Sequence, residues 1–240
     1  MLFRSRLQAA SAGLELEVEE PFDAAVLRCL EQDLDGIAAE LARWGRFSQP
    51  VRLRVAHDQP SLRQWAPCST QLQLAGVASA TDLCLLAPSC WPQPPHSRAL
   101  RQTLLHELAH VLLYQRCSPT AAQRLAVLPT WFREGMACVA AEGPPLPNRR
   151  RELAAHPLLG ELPNADDALM GREGEASYLL AGLLFQAWLD RFGRTGLHAV
   201  CRAMRAGHGF ASAHRSACGC DPEGFVQPWL ASVRAEAATG

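Results

Sequence analysis

Residues 103–112 read TLLHELAHVL. His106 and His110 are four positions apart. On an α-helix that spacing is about 40° of rotation and roughly 6 Å of rise, so both imidazoles leave the same face. One tetrahedral Zn²⁺ can then take a nitrogen from each, at about 2.0–2.1 Å. Glu107 follows the first histidine directly, which puts its carboxylate beside such an ion rather than on it. There it can accept a proton from the water that attacks a carbonyl and later deliver it to a leaving amine. With 8 His and 15 Glu in 240 residues, this spacing arises by chance in about one or two of every hundred such chains. The competing reading is an amphipathic helix carrying two coincidental histidines, which would then need other partners because the surrounding positions are apolar.

A catalytic zinc requires a third protein ligand and an open position for water. In PTWFREGMA, Glu134 stands 24 residues after His110 on a separate expected helix. A return of the chain could set it beside the histidines, with Gly135 permitting close packing. LLHELAHVLL followed by LPTWFREGMACVAA resembles the gluzincin metallopeptidases. More closely, it is similar to small peptidase MA-like domains, in which HExxH is followed by Pro-x-Trp-x-x-Glu-Gly-x-Ala. Here that phrase is Pro129, Trp131, Glu134, Gly135 and Ala137. The resemblance implies one zinc ion per chain held by His106, His110 and Glu134, with Glu107 as general base and acid. The activity it implies is zinc-dependent hydrolysis of peptide bonds in a peptide or protein substrate by attack of zinc-bound water. The gap from His110 to Glu134 is longer than in the best-known gluzincins.

Hydrolysis also needs a donor aimed at the developing oxyanion. The chain has two tyrosines. Tyr114 is four past His110 on the same expected helix. Tyr178 opens ASYLLAGLLFQAWLDRFG, where similar enzymes keep such a tyrosine, and is the preferred donor; His156 and His198 are alternatives. Glu142, Asp166 and Asp167 are available to orient the imidazoles.

The elements that must position these residues follow from periodicity. LELEVEE (14–20) and VRLRVAH (51–57) alternate as strands, and QLQLAGVAS and DLCLLAP read as two more. DAAVLRCLEQDLDGIAAELARWG is a helix with Asp23 as cap and Gly45 as stop. Residues 97–116 form the helix of the HELAH motif, with Ser97 as cap and leucines at 100, 104, 105, 108, 112 and 113. TAAQRLAVLP is a short segment, and 130–143 a helix capped by Thr130. PPLPNRRRE is a loop, 176–193 a buried helix, and 195–206 and 222–236 two further helices. Strands around one helix followed only by helices make an α+β chain. The resemblance makes it zincin-like: a small mixed N-terminal sheet with a helix (1–96), zinc-binding helices (97–143) and a mainly helical C-terminal lobe (144–240), one domain over 1–240 with an active-site cleft between the lobes.

Composition sets the remaining bounds. Net charge is −1, so no global attraction to nucleic acid is expected. All 23 basic residues are arginine, which carries no functional meaning. The N-terminal apolar stretch is too short and polar for a signal peptide, and no run reaches the length of a membrane span, so a cytoplasmic protein is expected. The 9 cysteines are scattered and read as reduced, buried thiols. HRSACGC (214–220) offers soft metal ligands, but they are crowded and lack a second pair. The alternatives to a peptidase are a zinc-binding peptidase-like module that acts by binding a partner protein, and a structural helical protein. Substrate preference and oligomeric state are open.

Overall fold

Two alternating segments, LELEVE and VRLRVA, become adjacent parallel strands with Leu14, Leu16, Val18, Val51, Leu53 and Val55 buried. They belong to a five-stranded mixed sheet of β1 (Arg4–Ala9), β2 (Leu14–Glu19), β3 (Val51–Ala56), β4 (Gly76–Ala78) and β5 (Asp82–Leu86), in the order β1-β2-β3-β5-β4. β1 with β2 and β4 with β5 are antiparallel pairs, while β2, β3 and β5 run parallel. The computed structural model describes residues 4–65, 75–91, 97–118, 128–143, 147–154 and 174–239. These fall into two compact units, one running to Arg116 and the other from Cys117 onward.

A parallel pair needs a crossover, and α1 (Ala24–Ala42) supplies it between β2 and β3. Asp23 caps α1 as expected, its carboxylate accepting from Ala25 N at 2.7 Å and Val26 N at 3.2 Å. Val26, Leu30, Ile37, Ala38 and Leu41 form the buried stripe. The other sheet face is polar at β3, where Arg52 and Arg54 reach Asp82 at 2.9 Å each and Arg54 also binds Glu19. The short helix α2 (Gln59–Arg63) buries Leu62 with Ala56, Cys84 and Leu86, and Val77 packs on that cluster.

Helix α3 (Ser97–Cys117) carries HELAH. The expected leucines 100, 104, 105, 108, 112 and 113 are all buried. Polar ties fix the helix within the first unit. Arg101 binds both Asp33 and Glu40 of α1, and Asp33 is the residue at which α1 leaves helical geometry (φ −138°). Arg116 donates to the Trp44 carbonyl. Gln115, only 4% exposed, accepts from Ser48 N at 2.7 Å and Gln49 N at 3.1 Å, and donates to Gln49 O at 3.1 Å and Ala80 O at 2.8 Å.

The second unit is helical: α4 (Thr130–Glu142), α5 (Pro147–Ala154), α6 (Gly174–Arg205), α7 (Phe210–Cys218) and α8 (Pro222–Thr239). α4 packs on α6 through aromatic rings, Phe132 lying 5.3 Å from Phe185, 5.2 Å from Trp188 and 4.9 Å from Phe210 between centroids. Among the described residues no helix is long and apolar enough to cross a membrane.

The α+β order holds, a mixed sheet first and helices after, with corrections in detail. Thr130 is the first helical residue of α4 rather than its cap; Pro129 is the N-cap and makes no side-chain bond. NRRRE is helical in α5, not a loop, because Pro147 suits a first helical turn. The segments 176–193 and 195–206 join in α6 through Gly193, whose φ of 65° admits a kink. β1, α2 and α7 were not anticipated. TAAQRLAVLP up to residue 127, and the first part of QLQLAGVAS, lie outside the described residues.

Gly135 is where α4 meets α6. A Cβ there would lie 2.5 Å from Phe185 Cβ and closer still to the Ala181 carbonyl. Gly135→Ala is expected to destabilise the protein by roughly 1–3 kcal/mol, as overpacked cores do. A urea midpoint equal to that of the parent would show that α4 can slide to make room.

Candidate metal centre

The two histidines of α3 converge. Their Nε2 atoms are 3.2 Å apart, with ring planes at 83°. Two nitrogens bound at zinc distance to one tetrahedral ion would stand about 3.3 Å apart. The same separation also suits a hydrogen bond in which one Nε2–H donates to the other ring. His110 is 5% exposed, His106 half-buried. Tyr114 stacks on His110 with centroids 5.8 Å apart and planes within 8°. The two rings lie nearly parallel and offset from one another.

Glu134 of α4 completes a possible donor set. His106, His110 and Glu134 each offer one ligand atom, these atoms all lie within 4.8 Å of one another, and the group could hold a metal ion. Two imidazoles and a carboxylate suit a borderline-soft divalent ion such as zinc, and three ligands leave a coordination position open. Arg133 Nε stands 3.2 Å from Glu134 Oε1, both side chains being only slightly exposed. Arg133 was not anticipated as part of this arrangement, since nothing in sequence distinguishes it from a solvated arginine.

Glu107 is 9% exposed and lies against β4, its side chain filling the space that a Cβ on Gly76 would take. Nothing in the sequence marks Gly76 as a neighbour of Glu107. Tyr178 is half-buried near the start of α6, His198 is half-buried later in the same helix, and Glu142 is exposed at the end of α4. His156, Asp166 and Asp167 lie outside the described residues.

A separate cavity of about 230 Å³ opens near the carboxyl ends of β2 and β3, lined by Glu19, Arg54, His57, Gln64 and Trp65 among others. It contains none of the histidine-pair residues. Its principal cation is already engaged: Arg54 pairs with Glu19 and Asp82, and its guanidinium lies 4.3 Å from the Trp65 ring centre.

Among the described residues no cysteine is in a disulfide, but the expectation of buried thiols holds only for Cys84, Cys117 and Cys201; Cys29, Cys138, Cys218 and Cys220 are half-buried and Cys90 is exposed, while Cys68 lies outside that set. Burial pushes both the Cys84 and Cys218 thiols up to about 11, far from the thiolate form that binds soft metals. His214 of HRSACGC is fully buried. Its Nδ1–H donates to the Cys220 carbonyl at 2.7 Å, and its Nε2 accepts from the Trp188 indole N–H at 2.9 Å. Both ring nitrogens are therefore committed to the fold. NRRRE is tied down likewise, Arg150 binding Glu236 at 2.8 Å and Arg149 binding Glu152 at 2.9 Å.

A scan against models of known protein families matches none to this chain, and no curated protein matches it at a significant level.

The His214 arrangement has a pH consequence. Burial holds its pKa below the ordinary value, against the smaller opposing effects of the Cys220 carbonyl and Asp221. Protonation would also place a hydrogen on the nitrogen that Trp188 already occupies. The unfolded chain then binds the proton more readily than the folded one. The stability contribution is complete above the unfolded value, about 6.5, and is lost as pH falls through the lower folded value. Denaturant midpoints between pH 7.5 and 5 should therefore fall more steeply in the parent than in His214→Gln. Equal slopes would mean that the buried ring is not what responds to acid.

Proposed function

We propose that this protein is a zinc-dependent peptidase with a zincin-like fold, related to the gluzincins. The observation that carries this reading is the pair of His106 and His110 Nε2 atoms at 3.2 Å, accompanied by the Glu134 carboxylate within the same 4.8 Å group.

His106, His110 and Glu134 are the residues that would hold the ion. Zinc in such a site supplies Lewis acidity, polarising a carbonyl and making water nucleophilic near neutral pH. The chain's own residues do the rest. Glu107 is the general base: its carboxylate accepts the proton of the attacking water and returns it to the leaving amine. Its low exposure holds the carboxylate away from bulk water. Tyr114 stacks on the His110 ring. Arg133 sets a positive charge beside the Glu134 carboxylate, its Nε 3.2 Å from Oε1. Tyr178 is the proposed hydrogen-bond donor to the oxyanion, a role that rests on the family resemblance.

Metal analysis after purification without added metal is the first test. About one zinc per parent chain and much less in Glu134→Ala is expected. Equal zinc in both would remove Glu134 from the ligand set, and no zinc in the parent, even when it is supplied, would end the metalloenzyme reading. Glu107→Gln should keep the zinc and lower kcat/KM on a peptide library by about 10²–10⁴-fold, the range of a lost general base. A parent that binds zinc and cleaves no peptide would instead favour a protein-binding module.

A further inference from the structure

Gly76 opens β4, which lies at one end of the sheet order beside β5. Val77 packs with Cys84 and Leu86 on one face of the sheet. Alternation therefore turns the Cβ positions of Gly76 and Ala78 to the opposite face, where they neighbour Leu85 and Leu83. Glu107 lies on that face. A Cβ built on Gly76 would fall 2.8 Å from Glu107 Cγ, 2.9 Å from Cδ and 3.0 Å from Oε1. The backbone does not require glycine here: among the described residues the positive-φ glycines are Gly13, Gly45, Gly143, Gly193, Gly207 and Gly219. What residue 76 must have is the absence of a side chain.

We propose that Gly76 is the positioning residue for Glu107, the missing Cβ being the slot that seats the carboxylate of the general base against β4. The proposal rests on the reading of Glu107 as general base. A glutamate side chain has three rotatable torsions, and a base must come within hydrogen-bond reach of the proton it removes. Burial against a strand backbone restricts those torsions. The smallest side chain, a methyl group, would fill the slot and force Cγ and the carboxylate elsewhere. The three heavy atoms nearest the added carbon all belong to Glu107, and none belongs to the three proposed zinc ligands on α3 and α4. A misplacement of about 1 Å at a reacting group can cost on the order of 10²-fold in rate.

The test compares the full-length parent, Gly76→Ala, Glu107→Ala and the double variant, all loaded with zinc. Gly76→Ala is expected to keep the parent's zinc content and KM and to lose about 10- to 100-fold in kcat. Thermal melts give a readout independent of turnover. Gly76→Ala should lower Tm when Glu107 is present and change it little in the Glu107→Ala background, where the group it collides with is gone. A Gly76→Ala chain that folds only in the Glu107→Ala background would make the same point more strongly. Additive Tm shifts overturn the proposal, as does an unchanged kcat beside an active parent. If the parent cleaves nothing, the peptidase reading fails and with it the base that Gly76 is said to seat. The melts would then still report whether the two residues collide.

Discussion

The rotational setting of α3 about its own axis is the constraint on which the candidate centre depends. Four residues along a helix bring two side chains to one face, but which way that face looks is decided elsewhere. Gln115 contributes much of that decision. It stands nine residues after His106, about 180° around the helix, so it faces away from the imidazole it helps to orient. Its amide makes four bonds to backbone groups of Ser48, Gln49 and Ala80. Rotating α3 would break them together and leave buried donors and acceptors unpaired, at about 1–3 kcal/mol each. That outweighs the 0–1 kcal/mol of an exposed ion pair such as Arg215 with Asp221. Packing of the leucines alone would tolerate small rotations. A set of directed hydrogen bonds tolerates them poorly.

Arg101 adds a second restraint about four turns earlier. Its two carboxylate partners, Asp33 and Glu40, both come from α1, so the helix that crosses between β2 and β3 also braces the helix of the histidines. The interruption of α1 at Asp33 is consistent with this role. Asp33 departs from helical φ and ψ, and the same residue binds Arg101. Backbone regularity in α1 thus yields locally where a side-chain contact to α3 is made.

Much of this was legible in sequence, and the limits are physical. HELAH is readable because helix geometry alone converts a spacing of four into a shared face. β2 and β3 are readable because alternation survives in strands with one apolar and one polar face, and α3 because its leucine stripe is long. β1 was missed because RSRLQA carries too little apolar alternation to stand out from a polar N-terminus; its pairing with β2 decides it. α5 was missed because Pro-Pro-Leu-Pro looks like a loop until the last proline begins a helix. α7 is nine residues long, below the length at which a periodic signal separates from chance. HRSACGC offered soft ligands too crowded for a metal site, and only the fold reveals that an indole and a carbonyl occupy the nitrogens of its His214. The positioning residues are the hardest class. Gly76, Arg133 and Gln115 act through partners far from them in sequence or through ordinary chemistry, and no spacing rule points to them.

Two of the most consequential positions are defined by what they lack. Gly76 leaves room for the Glu107 side chain, and Gly135 lets α4, the helix of Glu134, close onto α6. A hydrophobic core fixes distances to within what side-chain repacking allows, because a displaced leucine can find a new rotamer. A missing Cβ sets a limit of another kind. The neighbour advances until it meets backbone, and backbone in a sheet or helix cannot repack without losing its hydrogen bonds. Near Gly76 the stop is a strand; near Gly135 it is the carbonyl of Ala181. Chemistry that depends on tenths of an ångström is better served by such stops than by cores of exchangeable apolar groups. The proposed base and the helix of the proposed third ligand each rest against one.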